Sequence, residues 1–86
     1  MKEQLERVIR KIILPHYPQI TGFEVESIYG SHGSSITTYY IRYFYNFEDN
    51  LMGDGDKLRK DTITLFKMLS PDGKSTIYVI YICNKP

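Results

Sequence analysis

The stretch TITLFKMLSPDGKSTIYVIYI, residues 62–82, decides the fold that we predict for this chain of 86 residues. Its centre, Ser70-Pro71-Asp72-Gly73, has turn chemistry, because proline fixes φ at about −65° and glycine accepts a positive φ. β-Branched and aromatic residues dominate both flanks, and such residues favour strands. The pattern therefore predicts an antiparallel hairpin with a three-residue loop. Its cross-strand pairs are Leu69–Ser75, Leu65–Val79 and Ile63–Tyr81.

The flank before this turn also has the spacing of a helix, so a second helix over Leu58–Leu69 is the competing interpretation. The density of β-branched residues and the following turn favour the strand, which is the interpretation that we adopt at this point. The helical stripe consists of Leu58, Thr62, Leu65, Phe66 and Leu69.

The N-terminal segment predicts an amphipathic helix. Acidic residues precede basic ones at i,i+4 spacing, which is the stabilising order. Pro15 and Pro18 end the helix near Leu14, because proline lacks an N–H and disfavours the helical conformation in the residue before it. We expect its apolar stripe to face the core. The stripe consists of Leu5, Val8, Ile9, Ile12 and Ile13.

Two strands are predicted after this helix. Alternation at period two follows Gly22, small residues at 30–35 indicate a turn, and a run rich in β-branched and aromatic residues spans Ile36–Phe47. One hairpin register groups apolar side chains on one face and places Glu24 opposite Arg42 on the other. Its pairs on the apolar face are Phe23–Tyr43, Val25–Ile41 and Ser27–Tyr39.

These elements predict a single domain over residues 1–86, of the α+β class. An N-terminal α-helix packs on a four-stranded antiparallel β-sheet that consists of two hairpins. The segment Glu48–Lys60 between the hairpins is charged and contains glycine, and we interpret it as a long connection. The order of the two hairpins within the sheet stays open.

Large apolar side chains occur on both faces of each predicted hairpin. One helix of about 20 Å covers only one face of a small sheet, and monomers in water seldom expose a large apolar patch. We therefore predict that a second copy or a larger assembly covers the other face. Two alternatives stay open: a helix over Leu58–Leu69 covers more of the sheet, or the sheet coils and buries both faces. The predicted partner-binding residues are Tyr40, Phe44, Phe66, Met68, Tyr78, Ile80 and Ile82.

Composition argues against several classes of protein. Eleven basic and ten acidic residues give a formal charge of +1, without the basic excess of a nucleic-acid binder. The single cysteine, Cys83, allows no internal disulfide. No apolar run reaches the length of a membrane span, and the N-terminus of mixed charge does not resemble a signal peptide. We expect a protein of the cytoplasm or of a virion, without membrane contact.

No residue pattern predicts a catalytic, cofactor or metal site. His32 lies among small residues without an acid to orient it, which is typical of a solvated loop. The oxygen-bearing residues from Asp49 to Asp61 lack the spacing of a calcium loop. Cys83 is expected to be a small apolar residue of the last strand.

The expected function is that of a small non-catalytic structural or assembly protein, such as a subunit of a phage virion, with a tyrosine-rich contact surface. One alternative is an inhibitor or adaptor that binds a host enzyme one-to-one. Another is a single-stranded nucleic-acid-binding module, in which Lys57, Arg59 and Lys60 lie beside stacking tyrosines. Neighbouring aspartates offset that basic charge and argue against nucleic acid. The tyrosines concerned are Tyr39, Tyr43 and Tyr45.

Overall fold

The computed structural model describes residues 1–30, 35–46 and 54–84 of the chain. Two α-helices and three strands follow one another in these residues. They are α1 (Lys2–Val8), β1 (Ile20–Tyr29), β2 (Thr37–Asn46), α2 (Asp54–Leu69) and β3 (Ser75–Asn84). The three described strands form one sheet in the order β1-β2-β3, in which β1 and β2 are antiparallel and β2 and β3 are parallel.

The predicted four-stranded antiparallel sheet is wrong, because the sheet is three-stranded and mixed. The segment predicted as the third strand belongs to α2, so the second hairpin and its three pairs do not form. β3 lies beside β2 instead, with Tyr39 opposite Ile77 and Tyr43 opposite Tyr81. Parallel neighbours need a crossover of about a dozen residues or more, and α2 supplies it.

The helix α2 tolerates its β-branched residues because two threonine hydroxyls are bonded within the helix. Thr62 Oγ1 donates to the Leu58 carbonyl at 2.8 Å, and Thr64 Oγ1 donates to the Lys60 carbonyl at 2.8 Å. This local bond lets threonine occupy a helix interior. The turn chemistry is confirmed at Gly73, where φ is 71°, but the turn joins a helix to a strand. The buried residues of α2 are Leu58, Thr62 and Phe66.

The predicted register of the first hairpin is confirmed. An irregularity between Ile20 and Gly22 interrupts the pairing near the start of β1. Because side chains alternate along a strand, the register also decides which residues share a face of the sheet. The confirmed pairs are Phe23–Tyr43, Val25–Ile41, Ser27–Tyr39 and Glu24–Arg42.

The predicted N-terminal helix is confirmed, and it continues beyond α1. A π-helical turn, Ile9–Ile13, and a 3₁₀ turn, Leu14–His16, prolong it. Leu5 and Ile13 are buried, but Ile12 of the predicted stripe is 49% exposed. A π turn contains more residues than an α turn. Residues four positions apart, such as Ile9 and Ile13, therefore stay on the buried face, whereas Ile12, three positions after Ile9, turns away from it.

Both helices pack on the same face of the sheet and enclose the core there. α1 contacts β1 and α2, and α2 contacts β3. Leu5 and Leu58 from the helices and Ile41 and Tyr43 from the central strand are fully buried between the two layers. No described helix lies on the opposite face of the sheet. Residues of the three strands therefore form the surface of the molecule on that side.

Candidate protein-binding face

The face of the sheet opposite the helices, which we call the open face, collects alternate residues of all three strands. In the sheet register, Glu26, Tyr40 and Tyr78 lie in one row across the strands. The next row contains Arg42 and Ile80. The open face consists of Glu24, Glu26, Ile28, Thr38, Tyr40, Arg42, Phe44, Thr76, Tyr78, Ile80 and Ile82.

An apolar stripe runs along β2 and β3 on the open face. The rings of Tyr40 and Tyr78 stack, with centroids 5.5 Å apart and planes 18° apart. Tyr78 is 53% exposed and Ile80 is 37% exposed. Neither tyrosine hydroxyl has a hydrogen-bond partner among the described residues. We call Tyr40, Phe44, Tyr78, Ile80 and Ile82 the apolar stripe. Its side chains are half-buried or exposed, and apolar and aromatic side chains at the surface are typical of protein contact sites.

The apolar stripe contains five of the seven residues that the sequence predicts to bind a partner. The other two lie on α2, because their placement on the sheet depended on the strand interpretation of that segment. Phe66 is buried and packs against Tyr39 with ring centroids 5.6 Å apart. Met68 is exposed on α2. The placement of Phe66 and Met68 on the sheet surface is therefore wrong.

The charged side chains of the open face are those of Glu24 and Glu26 on β1 and of Arg42 on β2, between Tyr40 and Phe44. Arg42 Nη1 is 3.0 Å from Glu26 Oε2, and both side chains are partly exposed. Glu24 lies opposite Arg42 on β1. β3 adds no charge, because residues 75–84 contain no charged residue. The open face thus has an acidic border on β1, one arginine on β2 and no charge on β3.

Three tyrosines hold α2 through their hydroxyls. Burial raises the pKa of Tyr43, and burial together with the Asp61 carboxylate raises the pKa of Tyr17. Both phenols therefore stay neutral at physiological pH and act in structural hydrogen bonds, not as bases or nucleophiles. The three contacts are Tyr17 to Asp61 Oδ2 at 2.6 Å, Tyr43 to Thr62 Oγ1 at 2.7 Å, and Tyr81 to the Gly55 carbonyl.

Two concave sites in the described part of the molecule lie beside the helix layer. A cleft of about 380 Å³ borders β1 and is lined by charged residues of both signs, among them Glu24, Glu26 and Arg42 of the open face. A groove of about 180 Å³ lies between the π-helical turn and α2, with Ile12, His16, Tyr17 and Asp61 in its wall. His16 has no hydrogen-bond partner among the residues described, so the groove does not assemble an acid–base pair with an orienting group.

The other candidate residues do not converge on a site. His32, Asp49 and Asn50 lie outside the described residues. Among those that are described, no three histidine, cysteine, aspartate or glutamate side chains lie close enough together to hold a metal ion. Cys83 lies opposite Tyr45 in the sheet. No helix in residues 1–30, 35–46 and 54–84 is long and apolar enough to cross a membrane.

The tyrosines proposed to stack on nucleic-acid bases lie under the helix layer. Tyr39 and Tyr43 are buried, and Tyr45 is half-buried on the same face. Arg59 of the basic cluster lies over the ring of Tyr81, 5.6 Å from its centroid. A surface that binds single strands needs exposed aromatic rings, so these three tyrosines are not placed for that role.

The exposed outer edge of β3 was not predicted from the sequence, because residues 75–82 were paired with residues 62–69 in a hairpin. Once those residues belong to α2, β3 becomes an edge strand of the described sheet. The signal in the sequence is the run Ser75–Asn84, which contains no charge, proline or glycine. Such a run is unusual at an exposed sheet edge.

The chain was compared with protein-family models, curated proteins and solved structures, and none of them matches it. A function is therefore proposed from the geometry of the open face.

Proposed function

We propose that this protein is a non-catalytic assembly protein that packs its open face against the open face of a second copy. The observation that carries the proposal is the placement of both helices on one face of the sheet, which leaves Tyr78 and Ile80 exposed on the other. Burial of apolar surface contributes about 25 cal/mol per Å². Covering the exposed side chains of the apolar stripe would therefore stabilise a complex with a partner.

The charges of the open face favour a second copy as the partner. Arg42 is already paired with Glu26 in the same chain, so a facing copy does not have to supply a counter-charge. Arg42 lies between Tyr40 and Phe44 on β2, where Glu26 compensates its charge, and a net charge of +1 gives little repulsion between copies. A two-fold axis parallel to the strands, above the stripe, would place stripe on stripe and leave both acidic β1 borders in water.

The size of the open face predicts a moderate affinity. Three strands about 4.8 Å apart, at about 3.3 Å per residue, give ten-residue strands a footprint of about 14 by 33 Å. The resulting area of about 460 Å² is smaller than the roughly 800 Å² that each partner contributes to a standard interface. Association through this face alone should therefore depend on concentration.

Sedimentation equilibrium from micromolar to millimolar concentration tests the proposal. The mass of the wild-type protein should rise from that of one 10.1 kDa chain as concentration increases. Phe44→Lys places a charge in the stripe on the central strand, and the mass that it reaches should be at most half that of the wild type. Met68→Lys adds the same charge on α2 and should associate like the wild type.

Circular dichroism verifies that both lysine variants are folded. Tyr78→Ser, which shortens an exposed side chain of the stripe, gives a second variant if Phe44→Lys does not fold. Equal association of the wild type and a folded stripe variant would overturn the proposal. A wild-type chain that stays monomeric throughout would also overturn it, and would leave a one-to-one complex with a different protein as the surviving alternative.

A further inference from the structure

We propose that β3 pairs through its outer edge with β3 of another copy. The two β3 strands run antiparallel, and the two chains together form one sheet of six strands. This second self-interface uses a different surface from the apolar stripe. It deepens the proposed function, because it enlarges the face on which that function depends.

The two edges of the sheet differ in how they are protected. β1 has an irregular register between Ile20 and Gly22 and carries Glu24 and Glu26. Bulges and charges are the devices by which edge strands avoid pairing with other chains. β3 has neither, since Ser75–Asn84 is uncharged and pairs with β2 without interruption.

In the part of the chain that the structure describes, neither a further strand nor a backbone hydrogen bond occupies the outer side of β3. The exposed side chain of Arg59 donates to the Val79 carbonyl at 3.5 Å, near the limit of a hydrogen bond. An added strand replaces solvent hydrogen bonds with main-chain bonds and buries the side chains beside them.

The sequence of β3 is suited to pair with itself. A two-fold axis perpendicular to the sheet and passing beside Val79 keeps both helix layers on one side. Ile77 then faces Tyr81 of the other copy under the helices, and Tyr78 faces Ile80 on the open face. Pairs of an aromatic and a β-branched residue stabilise antiparallel strands, and β3 itself brings no like charges together in this register. The Arg59 side chain of each copy must leave the Val79 carbonyl before the two strands can pair.

Edge pairing brings the open face to the size of a stable interface. Two footprints joined side by side give about 900 Å², which matches the standard contribution of one partner. Each chain of a face-to-face pair can also hold an edge partner, which gives four copies joined by two kinds of two-fold interface.

Sedimentation equilibrium of the wild type and Phe44→Lys separates the two interfaces. If both interfaces form, the wild type reaches four copies and Phe44→Lys stops at two. If Phe44→Lys is monomeric while the wild type associates, the edge pairing is overturned and the proposed function stands. If both proteins stop at two copies, the edge pairing stands and the face-to-face contact fails. A wild type that is monomeric at every concentration overturns the edge pairing as well. Pairing of the β3 edge with a strand of a different protein is then the surviving alternative.

Amide hydrogen exchange measured residue by residue gives a second readout that does not depend on a variant. Edge pairing should slow the exchange of alternate amides in residues 75–84, those directed away from β2, as protein concentration rises. The outer amides of β1 serve as the internal control and should not respond. Exchange of the β3 amides that is independent of concentration would contradict the proposal.

Discussion

The hydroxyl of Tyr43 lies 2.7 Å from Thr62 Oγ1, in the buried contact between the central strand and α2. Thr62 uses its one hydroxyl hydrogen to donate to the Leu58 carbonyl at 2.8 Å. Tyr43 must then be the donor to Thr62. This chain of hydrogen bonds joins β2 to the helix that covers it, and so helps to keep α2 on one face while the other stays open.

The two ends of this contact should respond differently to mutation. Thr62→Val leaves the buried Tyr43 hydroxyl without an acceptor and should lower the free energy of unfolding by about 1–3 kcal/mol. Tyr43→Phe should lower it by only about 1 kcal/mol, because Thr62 keeps its bond to Leu58. Urea denaturation of the two variants measures the difference. A larger loss for Tyr43→Phe would contradict the assigned direction of the hydrogen bond.

Stability should fall in alkaline solution because burial raises the pKa of Tyr43 above its ordinary value of 10.0. The unfolded chain releases this proton at the ordinary pKa while the folded chain keeps it. The contribution of Tyr43 to the free energy of unfolding is therefore fully present below about pH 10. Above that pH the free energy of unfolding falls by about 1.4 kcal/mol per pH unit for this one group. Thermal melts of Tyr43→Phe should show a shallower loss than those of Tyr78→Phe, which removes an exposed hydroxyl. Equal slopes would contradict the prediction.

The turn between α2 and β3 requires glycine. Gly73 has a φ of 71°, a conformation in which a side chain is strained, and Gly73→Ala should destabilise the protein by about 1 kcal/mol. Gly22 is the matched control: a Cβ there meets no atom within 4 Å and its φ is not positive. Gly22→Ala should change the stability by less than about 0.5 kcal/mol. Chemical denaturation compares the two, and equal effects would be inconsistent with a left-handed turn residue.

The ion pair on the open face should matter more for association than for folding. Glu26 and Arg42 are partly exposed, so Glu26→Gln should change the stability by less than about 1 kcal/mol. In the face-to-face contact the same substitution leaves Arg42 without its counter-charge as water is removed, which is unfavourable. Sedimentation should show weaker association for Glu26→Gln than for Glu24→Gln, with similar melting temperatures for both. Stronger association of Glu26→Gln would contradict the proposed packing.

The N-terminal helix and the first hairpin could be predicted because their signals are local. The pairing of Phe23 with Tyr43 follows from alternation within two neighbouring segments. Residues 58–69 satisfied both a helical and a strand pattern, and their conformation depends on contacts with distant residues. Thr62 is stable in a helix partly because Tyr43 lies against it. The parallel pairing of β2 with β3 is likewise non-local and has no signal in the turn that precedes β3.

The residues of the open face could be predicted although the strand order could not. Side chains alternate along a strand whether its neighbour is parallel or antiparallel. Tyr78 and Ile80 therefore share a face with each other in either arrangement, and the register of β3 with β2 places Tyr40 on that face. The prediction failed for Phe66 and Met68, because it assumed the two-residue alternation of a strand in a segment that is a helix.

Contact of the open face with a second copy can be measured by NMR chemical shifts as a function of protein concentration. Tyr40 and Phe44 lie on the central strand, where edge pairing of β3 does not reach them. Their resonances should shift as the concentration rises, while those of Met68 on α2 stay constant. Stationary Tyr40 and Phe44 resonances, or shifts confined to the helix layer, would contradict that contact.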